Sequence, residues 1–263
     1  MVSTQPVSTC VSLTLGHRLM PYISYQISLA DNLTAEKFLM FLRERSVVYN
    51  YNVDLLYLGR SINVITAGRI LEWCVKLTLL VIAFCYCHIP LPSQNPLYFP
   101  LSKLHSLKCL YVPLVNLHTN RVVYLPDFDV FHCLTHLHLL ASRMAWLTIP
   151  LGFAALRNLT HLLLHWTTVR KSAPILPAYL DRPSAVLLIL WKDATCSDAS
   201  IQGSLRHRGL VDRRLVVLKN TFTFEDIDGG GFWTYAQHIV EWRVKYESKC
   251  AHLYNSSSGL LIL

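Results

Sequence analysis

The chain has 263 residues, of which 52% are hydrophobic and 15% charged, and 24 basic against 16 acidic residues give a net charge of +8. This composition excludes a disordered chain and implies a large buried core. The positive charge does not indicate a nucleic-acid partner, because the densest basic stretch, residues 206–214, is interrupted by Asp212 and has no interleaved aromatic ring. We expect a solvated surface there.

Residues 1–30 give no firm pattern, and they lack the basic start and uninterrupted apolar run of a secretory signal. The eight cysteines are scattered rather than arranged in a framework, so we expect reduced thiols and an intracellular location, cytoplasmic or nuclear. The most apolar stretch, residues 77–91, has about 15 residues, whereas a membrane helix needs about 20. It predicts a buried strand and a turn, and no membrane partner.

A short phrase of the form L-x-x-L-x-L recurs along the chain. Its copies LTLLVI, LKCLYV, LTHLHL, LTHLLL, AVLLIL and LVVLKN begin at residues 77, 107, 134, 159, 185 and 215, and a fainter copy, VDLLYL, begins at Val53. From 53 to 215 is 162 residues over six steps, a mean of 27. A period of 20–29 is typical of leucine-rich repeats, in which each unit supplies one strand and one helical or irregular segment.

The phrase predicts an α/β solenoid with a parallel sheet on its concave side and short helices or irregular segments on its convex side. Alternate side chains of a strand face one way, so the last two apolar positions of each copy point inward and stacked repeats bury them together. We predict one repeat domain over residues 31–250 and a tail over 251–263. The predicted strands are near 53–58, 77–82, 107–112, 134–139, 159–164, 185–190 and 215–220.

Two predicted helices flank the repeats. Residues 34–45 carry four apolar residues on one helical face, and residues 232–246 show the same spacing after a run of three glycines. We expect both helices to cap the open ends of the solenoid. A small polar residue should also occupy the turn three positions after each copy. Those positions hold Cys85, Val115, Ser142, Thr167, Asp193 and Thr223.

The phrases LTHLHLL, NLTHLLLHW and RLVVLKNTFTFED…GGGFWTYAQHIVEWR resemble the leucine-rich region of the F-box-like protein families of mushroom-forming fungi. The resemblance covers roughly residues 38–245. It implies a protein-binding scaffold similar to the substrate receptors of ubiquitin ligases, whose repeats hold the target while an F-box docks an adaptor. The F-box itself, a Leu-Pro start leading into three short helices, is not found before Val53.

The strand positions that point away from the leucines hold aromatic and imidazole groups, which are frequent anchors of protein interfaces. We predict a partner-binding surface on the concave face and no cofactor. Its predicted members are Tyr111, His136, His138, His161, His165 and Trp191.

Two alternatives stay open. His136, His138 and His161 offer three nitrogen ligands for a zinc-dependent hydrolase, although no catalytic motif accompanies them. The second alternative is that the chain is a degenerate gene product without selected function.

Strand alternation makes a further prediction about the core. Leu137 and Leu162, the fourth positions of adjacent copies, should be buried neighbours. His136 and His161 should face outward, where truncation costs under about 1 kcal/mol.

Overall fold

Eight strands form one parallel sheet in the computed structural model. Seven of them contain a copy of the apolar phrase, and each copy pairs with the next. The order of the eight strands in the sheet is β1-β2-β3-β4-β6-β8-β9-β10. The described residues are 25–45, 53–84, 95–113, 116, 122–140, 149–165, 175–192, 197–207, 209–219 and 231–254. The strands are β1 (Tyr25–Asp31), β2 (Val53–Ser61), β3 (Leu79–Ile82), β4 (Cys109–Pro113), β5 (Val122–Tyr124), β6 (His136–Leu140), β7 (Ile149–Leu151), β8 (His161–His165), β9 (Leu187–Lys192) and β10 (Leu215–Lys219).

Short helices connect the strands on one side of the sheet, and β5 and β7 form a separate two-stranded parallel sheet in these connections. The α-helices are α1 (Asn32–Arg45), α2 (Val64–Trp73), α3 (Tyr98–Ser102), α4 (Asp129–Cys133), α5 (Ile175–Leu180), α6 (Asp198–His207) and α7 (Gly231–Tyr254). The α/β solenoid-like architecture predicted from the sequence is therefore present.

Within the described ranges, none of the helices combines the length and apolarity that a membrane crossing requires.

The predicted inward face of the sheet is the main core. Leu137 pairs in register with Leu162, and both side chains are fully buried. In the copies that begin at residues 77, 107, 134, 159 and 185, the first position lies just before the strand. Its backbone N–H closes a turn onto the carbonyl three residues earlier, as Leu134 does on Phe131. The prediction that Leu137 and Leu162 are buried neighbours is confirmed.

The last predicted repeat is displaced by three residues. Leu215 pairs with Leu188 and Val217 with Leu190, so Leu215 rather than Leu218 holds the fourth position of the phrase. Leu218, predicted to point into the leucine core, packs instead on the opposite face of the sheet. The sequence LVVL is apolar in both frames, and pairing with β9 selects one of them.

Both ends of the predicted domain differ from the sequence interpretation. Residues 25–30, expected to have no pattern, belong to β1, which pairs in parallel with β2. The Asp31 carboxylate accepts a hydrogen bond from the backbone N–H of Thr34 at 2.9 Å at the start of α1. At the other end, α7 continues to Tyr254, past the predicted boundary at residue 250.

Polar side chains tie each repeat to the one before it. The Asn116 amide is buried and donates to the Phe84 carbonyl at 2.6 Å. Asn116, one position after the predicted turn residue Val115, thus connects this repeat to the preceding one. Val115 and the other five predicted turn residues lie outside the described residues.

Arginines make the same connection in the later repeats. The Arg182 guanidinium donates to the Phe153 carbonyl at 3.0 Å and to that of Leu156. Arg214 donates to the Ala185 carbonyl at 3.0 Å and pairs with the Asp212 carboxylate at 2.7 Å. Arg214, expected from the sequence on a solvated surface, is therefore part of the framework between repeats.

Candidate recognition face

The predicted recognition residues Tyr111, His136, His138, His161 and His165 lie on the second face of the sheet, the face opposite the leucine core. On β9 and β10 this face is apolar too, with Leu187, Ile189 and Val216 all buried. Strands that are apolar on both faces need a cover on each side. Phe232, Trp233 and Ala236 of α7 supply part of this cover and form a second apolar cluster with those strands.

The helix α7 was predicted to cap an open end of the solenoid, and the structure places it against the second face of the sheet instead. Its Trp233 indole N–H donates to the Tyr111 hydroxyl at 2.9 Å, a contact between residues 122 positions apart. The guanidinium of Arg243, further along the helix, donates to the Leu215 carbonyl at 2.7 Å. The helix is therefore held by apolar packing and by hydrogen bonds to β4 and β10.

Tyr111 and His138, expected on an open surface, are buried. They are register partners on β4 and β6, and their rings meet edge to face at 5.2 Å. Phe232 covers them, with its ring 6.3 Å from that of Tyr111 and 6.2 Å from that of His138. A partner cannot reach either side chain while α7 is in place.

His136 and His161 are half-buried and stack on each other. They are register partners on β6 and β8, with ring centroids 4.0 Å apart and planes inclined by 10°. The Trp233 ring meets both edge-on, at 5.3 and 5.6 Å. Burial lowers the pKa of His136, and burial together with the neighbouring His136 lowers the pKa of His161 to about 4. Both rings are neutral at physiological pH.

The dipeptide Thr-His gives the two stacked rings the same hydrogen bonds. The Nδ1 atoms of His136 and His161 lie 2.9 and 2.7 Å from the hydroxyls of the preceding threonines, Thr135 and Thr160. Thr160 also donates its hydroxyl proton to the Thr135 carbonyl at 3.1 Å, and Thr135 does the same to Lys108. Each threonine hydroxyl has one proton, which it donates to the backbone carbonyl. The hydroxyl oxygen can therefore bond to the histidine only as an acceptor, with Nδ1–H as the donor. This arrangement favours the tautomer in which Nε2 carries the lone pair.

His165 and Trp191 are register partners on β8 and β9. The His165 side chain is half-buried, and its proximity contributes to the low pKa of His138. The side chain of Trp191 lies outside the described part of the chain.

The structure adds two residues that the sequence analysis did not single out. Leu79 pairs with Cys109, and Cys109 pairs with His136, which pairs with His161. These four side chains form a row across β3, β4, β6 and β8, and each is half-buried. We call this row the recognition strip. It ends at the next register partner, Leu187, which is 1% exposed.

The three histidines proposed as zinc ligands do not converge on one point, since two of them stack face to face and His138 lies under Phe232. Among the described residues, no group of three His, Cys, Asp or Glu side chains is arranged to hold a metal ion. Burial raises the pKa of the Cys109 thiol to about 11, so this neighbour of His136 is a thiol rather than a thiolate at neutral pH. Comparison with protein-family models, with curated proteins and with solved structures finds no match.

Proposed function

We propose that the protein is a protein-interaction scaffold whose partner docks on the recognition strip. The observation that carries the proposal is the strip itself, a continuous row of half-exposed leucine, cysteine and imidazole side chains across four adjacent strands. Neighbouring strands are about 4.8 Å apart, so the row is about 14 Å long and matches a short extended segment of a partner. Ring side chains within a rigid frame suit such contacts, because they lose little conformational freedom on binding.

The resemblance to F-box-like proteins supports a narrower version, in which the scaffold presents a target in the manner of a ubiquitin-ligase substrate receptor. An intracellular location, cytoplasmic or nuclear, belongs to the same proposal. It is supported by the free thiols of Cys74, Cys109 and Cys133, because reducing compartments keep thiols unpaired.

Site-specific photocrosslinking tests the scaffold function. A photoreactive phenylalanine analogue at position 79 or 109 should crosslink the same cellular protein. The same analogue at Ile65, an exposed position on α2 away from the sheet, is the matched control and should not. Recovery of no protein above background from the strip, or of the same proteins from position 65, would refute the proposal.

The receptor version makes a separate prediction, that a cullin adaptor copurifies with the chain and its crosslinked partner. A partner that crosslinks to the strip and purifies without any adaptor would rule out the receptor role. The scaffold role would stand.

A further inference from the structure

The first turn of α7 rests on three histidines of the second face. Trp233 lies against the stacked pair of His136 and His161, and Phe232 lies against His138. We propose that this contact is an acid-sensitive latch, in which α7 is docked while the three imidazoles are neutral and is released when they are protonated. The proposal does not depend on the scaffold function.

The geometry of the cluster penalises positive charge in two ways. The stacked rings are 4.0 Å apart, so a proton on each would place two like charges at that distance under the edge of an indole. The His138 ring is fully buried between Tyr111 and Phe232, where water cannot solvate an imidazolium. Withdrawal of α7 relieves both penalties, since it admits water to the three rings.

Among the described residues, the sheet neighbours of the cluster that pair with it in register carry no negative charge. From β4 the neighbours are the Cys109 thiol and the Tyr111 hydroxyl, and from β9 the neighbour of His161 is Leu187. Other histidines lower the pKa values further through their charge, with His165 acting on His138 and His136 acting on His161.

The helix contributes Phe232 and Trp233 to the cluster, and neither is charged. The charged side chains of α7 that the structure describes are Glu241, Arg243 and Lys245, eight or more residues after Trp233 and so two turns away. Glu225, Asp226 and Asp228, which precede α7 in the sequence, lie outside the described residues.

The sign of the pH dependence follows from these surroundings. Burial lowers the pKa of all three imidazoles in the docked state, to about 4 for His161, whereas a solvated histidine titrates near 6.5. The released state therefore binds more protons, and acid favours it. Docking of α7 is fully favoured above about pH 6.5. As the pH falls toward 4, the equilibrium constant for docking decreases by up to about tenfold per pH unit for each histidine.

Hydrogen exchange measured by mass spectrometry on the full chain, between pH 7.5 and 4 and corrected for intrinsic exchange rates, tests the latch. Peptides from α7 should lose protection at a higher pH than peptides from β6 and β8. In the double variant His136→Phe/His161→Phe, which keeps two stacked rings without titratable nitrogens, the α7 midpoint should fall by about one pH unit or more. His238→Gln is the matched control, because His238 is exposed on the same helix, and it should leave the midpoint unchanged.

Three results would overturn the latch: an α7 that stays protected to pH 4, a midpoint that the double variant shares with the native chain, or simultaneous loss of protection in α7 and the sheet. If the double variant does not fold, His161→Phe alone replaces it. The single change should move the α7 midpoint in the same direction, and an unchanged midpoint would again overturn the proposal.

Discussion

Truncation of the paired leucines Leu137 and Leu162 should be more damaging than truncation of the histidine next to each in the sequence. The two leucines are register partners in the middle of the sheet, and both are fully buried against the connecting helices. Replacement of either by alanine removes the side chain beyond Cβ and leaves a cavity in a packed core. Each change should lower the free energy of unfolding by about 2–5 kcal/mol.

The expected cost of the histidine changes is larger than the sequence suggested. His136 and His161 were predicted to face solvent, where truncation costs under about 1 kcal/mol, and they are instead half-buried beside Trp233. Removing His161 loses its stack on His136, about 0.5–1.5 kcal/mol, and its hydrogen bond with Thr160, about 0.5–1.5 kcal/mol. Water can replace part of the hydrogen bond at a half-exposed site, so we expect about 1–2 kcal/mol for each histidine.

Urea denaturation followed by far-ultraviolet circular dichroism measures these differences, provided that the variants share one m-value. Val186→Ala, at an exposed position just before β9, is the control and should change the free energy of unfolding by less than about 0.5 kcal/mol. The contrary result is a histidine variant that lowers the free energy of unfolding as much as the leucine variant of the same strand. That result would refute the assignment of the leucines to the buried core face and of the histidines to the half-buried second face, because it would indicate equal burial on both faces of β6 and β8.

Three further predictions concern groups that the sequence did not single out. Arg182→Met should lower the free energy of unfolding by about 2–3 kcal/mol, because the buried carbonyls of Phe153 and Leu156 lose their charged donor, whereas exposed Arg157→Met should cost under about 0.5 kcal/mol in the same denaturation assay. Asn116→Leu should cost about 1–3 kcal/mol through the unpaired Phe84 carbonyl, and a cost no greater than that of the exposed Asn158→Leu would contradict this role. Cys109 should react with iodoacetamide at pH 8.5 about 100-fold more slowly in the native chain than in urea. The reason is that burial raises the pKa of the thiol from 9.0 to about 11, and the thiolate is the nucleophile. Equal reaction rates in the two conditions, measured by peptide mapping, would show that the thiol is not shielded.

The periodicity of the sequence was sufficient to predict the positions of most strands of the sheet. The reason is that each repeat carries two inward apolar residues at a regular spacing along the chain. Periodicity failed at β1, where only Ile27 and Leu29 of the phrase are apolar and the strand is recognisable by its pairing with β2. It also failed at the last repeat, since LVVL supports two frames and only contact with β9 distinguishes them. Both failures occur where pairing with a neighbouring strand, rather than local pattern, decides the register.

The position of α7 was not predictable from local pattern, because it depends on contacts such as that between Trp233 and Tyr111, far apart in the chain. A signal was nevertheless present. Ile189 and Val216 are apolar at positions that point away from the leucine core, as expected for strands covered on both faces. A solvent-facing strand would instead alternate apolar and polar residues, as β1 does with exposed Gln26 and Ser28.

The recognition strip and the proposed latch share His136 and His161, and this makes their two equilibria interdependent. The strip stops at β8 because Leu187, the next residue in the row, is buried and packs in the same cluster as Trp233. On the two proposals together, a partner on the strip touches the rings that support α7. We expect it to bind them in their neutral state, because that is the state in which α7 is docked. Binding of the partner and protonation of the two histidines are then thermodynamically linked. Protonation lowers the affinity for the partner by the same factor by which the bound partner lowers the proton affinity of the histidines. A partner that crosslinks to position 109 should accordingly bind His136→Phe/His161→Phe with a smaller pH dependence than the native chain.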